Sequence, residues 1–276
     1  MKVLVVSDIH GNWPALRAVL AAEPDADQIL CLGDLVNYGP QPEKCVAWAM
    51  RLDLPNHVIQ GNHDRAFSLG VPSRGAPQYQ PLVEAVQAAT DFLLTAEMKT
   101  FLAALKPLQT FRWNEISCVA CHTIYAHPLS YRITECDDPA WNRTELSRMD
   151  TDMILLGHPD LLFVMLGHPD FVFIGNTHLP MKIKFYGTLV VNPGSVGQPL
   201  DGDPRAAYAI WRDGDITFHR VAYDVEETVR AYESLDLDEH VKRQLVDGLR
   251  TGTCLTKQET TELAMGKRDL PNLISI

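Results

Sequence analysis

The chain has 276 residues, of which 46% are hydrophobic and 21% charged, and its formal net charge is −11. Such a composition allows a sizeable packed core and excludes a disordered or fibrous chain. The acidic balance argues against a surface for duplex nucleic acid, which needs clustered Lys and Arg. It still permits a small phosphorylated substrate wherever metal ions make a site locally positive.

The opening run Met1-Lys2-Val3-Leu4-Val5-Val6 is too short for a signal-peptide core or a bilayer span. A cytoplasmic protein without membrane association is expected, and its six cysteines (31, 45, 118, 121, 136 and 254) are expected to be reduced. Residues 2–7 predict a buried strand, and 13–22 a helix with Asn12 as N-cap and Leu16, Val19 and Leu20 on one face. Gln28 to Leu32 is a second strand, and Pro42 opens a helix turning Cys45, Trp48, Ala49 and Leu52 inward. His57 to Gln60 is a third strand, and this alternation predicts a mostly parallel inner sheet.

A Pro, Gly and Ser-rich stretch at 70–81 precedes helical pattern over about 82–105, ended by Pro107. Strands follow near 108–112, 116–121, 171–175, 182–186, 188–192, 206–212 and 215–222. Between them Leu156-Gly157-His158-Pro159-Asp160 recurs as Leu166-Gly167-His168-Pro169-Asp170, too short a unit for a solenoid and best read as a small internal duplication. Residues 225–250 return to amphipathic helix, whose apolar positions serve packing or a homo-oligomer contact. The expected organisation is one domain over 1–225 with 226–276 as its C-terminal helical extension.

Four segments each place a metal-ligand type just past a strand end, the edge where open α/β sheets bind ligands. They are Ser7-Asp8-Ile9-His10-Gly11-Asn12, Gly33-Asp34, Gly61-Asn62-His63-Asp64 and Gly175-Asn176-Thr177-His178. Asp8 and His10 are two apart, so an extended backbone would point both side chains the same way. Singly, Asp or Asn beside Gly is common turn chemistry; the ordered set is what carries a functional reading.

That set resembles the calcineurin-like metallophosphoesterases, whose successive motifs are Asp-x-His, Gly-Asp, Gly-Asn-His-Asp/Glu, an isolated His and Gly-His-x-His. Gly33-Asp34-Leu35-Val36 with Tyr38-Gly39-Pro40, and Asn192-Pro193-Gly194-Ser195-Val196-Gly197-Gln198-Pro199, are similar to the small bacterial and archaeal phosphodiesterase branch. The likeness runs from residue 2 to about 225. It implies an α/β fold, an αββα sandwich of two facing mixed β-sheets flanked by helices. It also implies two divalent ions (Mn²⁺ first, with Fe, Zn, Co or Ni as other candidates). Asp8, His10 and His178 would hold one, Asn62 and His122 the other, and Asp34 would bridge. Such a pair traps a hydroxide of lowered pKa that attacks phosphorus, with His63 as general acid beside the substrate. The implied substrates are phosphodiesters or nucleotide-type phosphate esters. Asn62, His63 and Arg65 are candidates for binding them, with Arg132 a further candidate cation.

His122 also closes Cys118-Val119-Ala120-Cys121-His122, a c-type haem attachment spacing; without an export signal that reading is disfavoured. Cys136 and Cys254 do not form the second pair that a zinc site would need. His127 competes with His122 for the ligand role. The chain departs from the resembled pattern at Thr123, where Gly is usual. It departs at Asn37, where some relatives carry an Asp that orients the catalytic His, and that support is expected to be missing. Asn176 replaces the first His of the last motif, and an amide oxygen is a weaker ligand than imidazole for transition metals. His158 or His168 could supply the missing nitrogen. Asn192 to Ser195 reads either as a phosphate-facing turn or as a support for the metal site. The rival to an enzyme is a scaffold of the same fold with an incomplete second metal site, as in the retromer subunit that resembles this family.

Overall fold

Strand β1 (Lys2–Val6) pairs in parallel with β2 (Gln28–Cys31), with Val3 opposite Gln28 and Val5 opposite Leu30. A computed structural model describes residues 1–53, 57–73, 80–122, 169–185 and 187–253. Thr123, His127, Arg132, Cys136, His158, His168 and Cys254 lie outside these, as does most of the repeat. Helix α1 (Trp13–Ala22) follows β1 and α2 (Pro42–Ala49) follows β2, leading to β3 (His57–Val58) in parallel beside β2. Strands β9 (Ala206–Arg212) and β10 (Asp215–Val221) complete the sheet antiparallel to β1, in the order β10-β9-β1-β2-β3. The predicted parallel sheet is therefore a parallel trio extended by two antiparallel strands from the far end of the chain.

The second sheet has the order β4-β5-β6-β8-β7. Its strands are β4 (Leu108–Trp113), β5 (Ile116–Cys121), β6 (Phe171–Phe173), β7 (Pro180–Phe185) and β8 (Thr188–Pro193). β5, β6 and β8 run parallel, and the outer pairs are antiparallel. The two sheets face each other. Val3, Val5, Leu30 and Trp211 of the first meet Trp113, Cys118, Phe173 and Val191 of the second, and the Trp113 and Trp211 ring centroids are 4.7 Å apart. The even positions Leu4 and Val6 point the other way, onto Leu16 and Val19 of α1 and Val46 of α2. Burial on both faces explains why β1 reads as an unbroken apolar run rather than an alternation.

Three helical regions differ from expectation. Helix α3 (Asn62–Leu69) starts at the Gly-Asn-His-Asp motif, where no helix was predicted. Asp64 caps it by accepting the Gly61 N–H at 2.9 Å. The predicted 82–105 helix is two, α4 (Gln80–Thr90) and α5 (Ala96–Ala104), divided by a 3₁₀ turn at Asp91–Leu93. Thr95 restarts the chain as an N-cap, accepting the Met98 N–H at 3.2 Å. The 225–250 region is likewise two, α6 (Val225–Tyr232) and α7 (Glu239–Thr251), capped by Asp224 and Asp238. Tyr232 of α6, Leu245 and Leu249 of α7, and Leu235 between the two pack against Leu82 and Val86 of α4. Leu52 lies beyond the end of α2. Among the described residues no helix is long and apolar enough to cross a membrane.

Candidate metal centre

Apart from Asn62 and His122, the predicted ligands at strand ends arrive on backbone of unusual conformation. Asp8, His10, Asp34, Asn37, Tyr38, Asn176 and His178 all have positive φ, between 47° and 68°. The extended backbone expected to aim Asp8 and His10 together is therefore not present. Both enter the site from a left-handed turn, with φ of 51° and 47°. Such conformations cost about 1–3 kcal/mol each and persist only where surroundings over-determine them. Here the surroundings do: the N–H groups of Asp8, His10 and Gly11 donate to the carbonyls of Gly33, Asp34 and Leu35 at 2.8–3.0 Å. The turn after β8 locks the same loop, with Ser195 Oγ donating to Asp8 O at 2.7 Å and Val196 N to Ser7 O at 3.0 Å. Between the two readings of Asn192 to Ser195, the structure selects support. The Asn192 amide donates to Gly175 O at 2.8 Å and its oxygen accepts from Gly194 N at 2.9 Å.

These turns bring two carboxylates and three imidazoles together in a buried cluster. Asp8, His10 and His178 form one group whose ligand atoms all lie within 4.8 Å of one another, and Asp8, Asp34 and His122 form a second. Asp8 is common to both, although Asp34 was expected to be the shared residue. His178 Nε2 is 3.2 Å from Asp8 Oδ1, and His122 Nε2 is 3.0 Å from Asp34 Oδ2. Each imidazole is anchored through its other nitrogen to a backbone carbonyl. His10 Nδ1 meets Val36 O at 3.0 Å, His122 Nδ1 meets Leu32 O at 2.6 Å, and His178 Nδ1 meets Gln198 O at 2.7 Å. Donation from Nδ1 leaves Nε2 as the lone-pair nitrogen, the arrangement that orients a metal-binding histidine. The consequence is clearest between His10 and His178, whose Nε2 atoms face each other at 3.1 Å. Two neutral rings anchored in this way oppose lone pair to lone pair, and a cation between them resolves the conflict. Asn62 Oδ1 is buried without a hydrogen-bond partner among the described residues, as a ligand atom for an ion would be. The donor set therefore fits divalent metal.

His63 stands beside this cluster, its Nε2 4.0 Å from Asp34 Oδ2, and its backbone N–H donates to Asp34 Oδ1 at 2.9 Å. The expectation that Asn37 would leave His63 unsupported is corrected. Tyr38 N–H donates to Asn37 Oδ1 at 2.8 Å, so the amide nitrogen is the end that meets His63 Nδ1 at 3.0 Å. An N–H donor at Nδ1 puts the proton of the neutral ring on Nε2. Asp64 accepts the N–H groups of Asp34, Leu35 and Gly61 at 2.8–2.9 Å, tying α3 to the Gly33-Asp34 loop. A Cβ on Gly61 would overlap Asp34 Oδ1, so glycine is required there.

Burial pushes the Asp34 carboxyl up, but His122 and His63 outweigh it and hold the group well below the usual carboxylate range. Burial lowers His122, yet Asp34 and Asp8 overcome this and raise it to about 10 in the metal-free site. His178 is raised against its burial by Asp8. His10, buried and beside His178, falls to about 3, and burial also lowers His63. A proton held by His122 thus competes with metal for the same nitrogen.

Other predicted residues fall elsewhere. Asn176 is half-buried, and its backbone N–H donates to both oxygens of Asp8 at 3.1–3.2 Å. Arg65 is exposed on α3. Cys118 and Cys121 share strand β5 three residues apart, so their side chains leave opposite faces. Both are free, and burial pushes their thiols up to about 12. Sequence reasoning missed the carbonyl anchors Leu32, Val36 and Gln198, because a backbone acceptor leaves no mark on residue type.

Residues 1–180 match the family described as calcineurin-like phosphoesterase. The chain belongs to that family. This phosphoesterase is 31% identical over 241 residues to an uncharacterised protein of Methanocaldococcus jannaschii, covering 84% of the present chain and 91% of the relative. It is similar to the crystal structure of a metallophosphoesterase from Sphaerobacter thermophilus, at 29% identity and a TM-score of 0.67, covering 92% of this chain and 99% of the other. A shorter match, 32% identical over 92 residues, is to a symmetrical bis(5'-nucleosyl)-tetraphosphatase of Chromohalobacter salexigens, covering 31% of this chain and 34% of that protein. The family and the paired ligand groups make this a metal-dependent phosphoesterase, a hydrolase of the αββα sandwich fold.

Proposed function

We propose that the protein hydrolyses phosphodiesters or nucleotide-type phosphate esters at a centre of two divalent ions. Asp8, His10 and His178 would hold one ion and Asp34, Asn62 and His122 the other, with Asp8 and Asp34 both close enough to be shared. The observation that carries this reading is the set of three imidazoles, each anchored at Nδ1 on a carbonyl, whose Nε2 atoms converge on two buried carboxylates. Bound there, divalent ions supply Lewis-acid polarisation of phosphoryl oxygens and lower the pKa of water. Mixed imidazole, carboxylate and amide donors suit Mn²⁺ first, and Fe, Co, Zn or Ni as alternatives.

His63, neutral and protonated on Nε2, is positioned to donate that proton to the departing oxygen. Asn37 keeps the ring in this tautomer and in place. Nucleotide-type substrates are supported by the printed activity of the tetraphosphatase relative over its matched segment. The four free, buried cysteines among the described residues are consistent with a cytoplasmic setting. Packing of α6 and α7 on α4 supports treating 226–276 as an extension of the 1–225 domain.

Metal content by mass spectrometry, paired with hydrolysis of bis(p-nitrophenyl) phosphate in Mn²⁺, tests the proposal. About two equivalents after loading with excess Mn²⁺, with turnover, is the expected result. One equivalent or fewer bound without turnover would instead support a scaffold with an incomplete second metal site, the reading that Asn176 favours.

A further inference from the structure

Helix α6 fully buries two side chains, Thr228 and Tyr232. Four apart, they share one face of the helix. Both carry hydroxyls, where a helix that served packing alone would bury aliphatic side chains. Each hydroxyl donates into a different loop of the metal centre. Thr228 Oγ1 donates to Asn12 Oδ1 at 2.9 Å, just past His10, and Tyr232 Oη donates to the Tyr38 carbonyl at 2.7 Å. Burial pushes the Tyr232 phenol up, so it stays a donor at every working pH.

The Tyr38 carbonyl belongs to the backbone that carries Asn37. Asn37 and Tyr38 have φ of 68° and 55°, and the Gly39 N–H donates to Asn37 O at 2.7 Å across Tyr38. A three-residue turn with positive φ at its centre is rare and strained, so contacts from outside must hold it. This turn presents the Asn37 amide, whose nitrogen meets His63 Nδ1 at 3.0 Å. It also presents the Tyr38 ring, which packs on the cluster of α4, α6 and α7 and stands edge-on to His63 with centroids 5.3 Å apart. Both contacts to His63 therefore depend on one backbone conformation, and the Tyr232 hydroxyl ties that backbone to α6.

We propose that Tyr232 is a positioning residue for the reaction: its hydrogen bond to the Tyr38 carbonyl fixes the Asn37–Tyr38 turn, and through that turn the His63 ring that protonates the departing oxygen. The inference rests on the two-metal reading with His63 as acid and deepens it. Tyr232 acts on the chemistry through Asn37 and His63, so α6 serves the acid as well as covering apolar surface.

The test uses the full-length Mn²⁺-loaded protein, Tyr232→Phe, and two methyl aryl phosphate diesters that release p-nitrophenolate or phenolate. Phenylalanine keeps the ring in its apolar cluster and removes the hydroxyl alone. Phenolate is the more basic leaving group and depends more on a proton donor. The variant should lose about tenfold in kcat on the phenyl ester and about twofold or less on the nitrophenyl ester. KM, metal content and circular dichroism should stay unchanged. In a His63→Ala background, Tyr232→Phe should change neither ester further, because a residue that acts through His63 has nothing left to act on. A merely structural role would lower both esters equally and would do so with His63 absent as well. Either result overturns the inference, as does loss of metal. If His63→Ala alone lowers both esters equally, or the unmodified protein turns over neither at full metal occupancy, the reading beneath fails and this one with it. Should Tyr232→Phe fail to fold, hydrogen exchange of the unmodified protein in a urea series decides. The Gly39 amide should exchange in the same opening step as the α6 amides, and a Gly39 amide that outlasts α6 overturns the inference.

Discussion

The two halves of the metal centre are built to different standards. In the His10–His178 half, two imidazoles are each locked by a carbonyl and share Asp8, and three loops from both sheets hold them. In the His122 half there is one imidazole, the Asp34 carboxylate and an unmatched amide oxygen of Asn62. Asn176 occupies the place where the resembled pattern has a histidine, and its observed contact is a backbone N–H to Asp8. Ligand identity rather than burial separates the halves, because Asp8, His10, Asp34, His122 and His178 are all buried. The difference predicts that two ions held in this one buried cluster would be bound with unequal affinity.

The harshest way to break the comparison is to remove the carboxylate that the resembled pattern makes the bridge. Asp34→Asn should drop hydrolysis of bis(p-nitrophenyl) phosphate to background while circular dichroism shows the fold retained, because the amide keeps the shape and loses the charge. A near wild-type rate in Mn²⁺ would sink the two-metal proposal. His63→Ala comes next and should leave both halves loaded while turnover falls by roughly 10²–10⁴-fold, the usual contribution of a positioned acid. The loss should be larger for alkoxide than for nitrophenolate leaving groups. Equal losses would argue against proton donation, and lost metal would make His63 a ligand.

Proton competition sharpens the contrast further. With His122 raised to about 10 by Asp34 and Asp8, metal must displace its proton at neutral pH. Affinity should therefore fall as pH falls, by about tenfold per unit for each proton released. Calorimetry of Mn²⁺ binding in buffers of different ionisation enthalpy reads the proton count directly, and pH-independent binding between pH 6.5 and 8.5 would contradict the assignment.

Asn176→His should give the smallest effect. It should shift Mn²⁺ activation several-fold toward lower concentration and leave the tighter ion unchanged, since imidazole outbids an amide for borderline ions. If His158 or His168 already supplies a nitrogen, that substitution changes little, and His158→Ala or His168→Ala weakens activation instead. Full occupancy of both sites in the purified protein, with both alanine variants unaffected, would show that the halves are equal.

Residue order alone determined a good deal of this protein. The strand at Lys2–Val6, the Asn12 cap of α1 and the strands of both sheets were legible, because apolar runs and caps act over a few residues. The ordered motifs named the residues that gather in the cluster, since metal chemistry restricts the side chains able to serve. Tertiary structure decided the rest. Left-handed turns rather than an extended strand aim Asp8 and His10, a conformation stabilised by carbonyls some 25 residues away in sequence. The hydrogen bond from Asn37 to His63 sets a tautomer that neither residue specifies alone. Tyr232 of α6 reaches the Tyr38 carbonyl because α6 and α7 find α4 through their apolar residues. In each case the outcome depends on which backbone groups meet across the fold, and a hydrogen-bonding carbonyl or an apolar partner is indifferent to the side-chain code that would announce it.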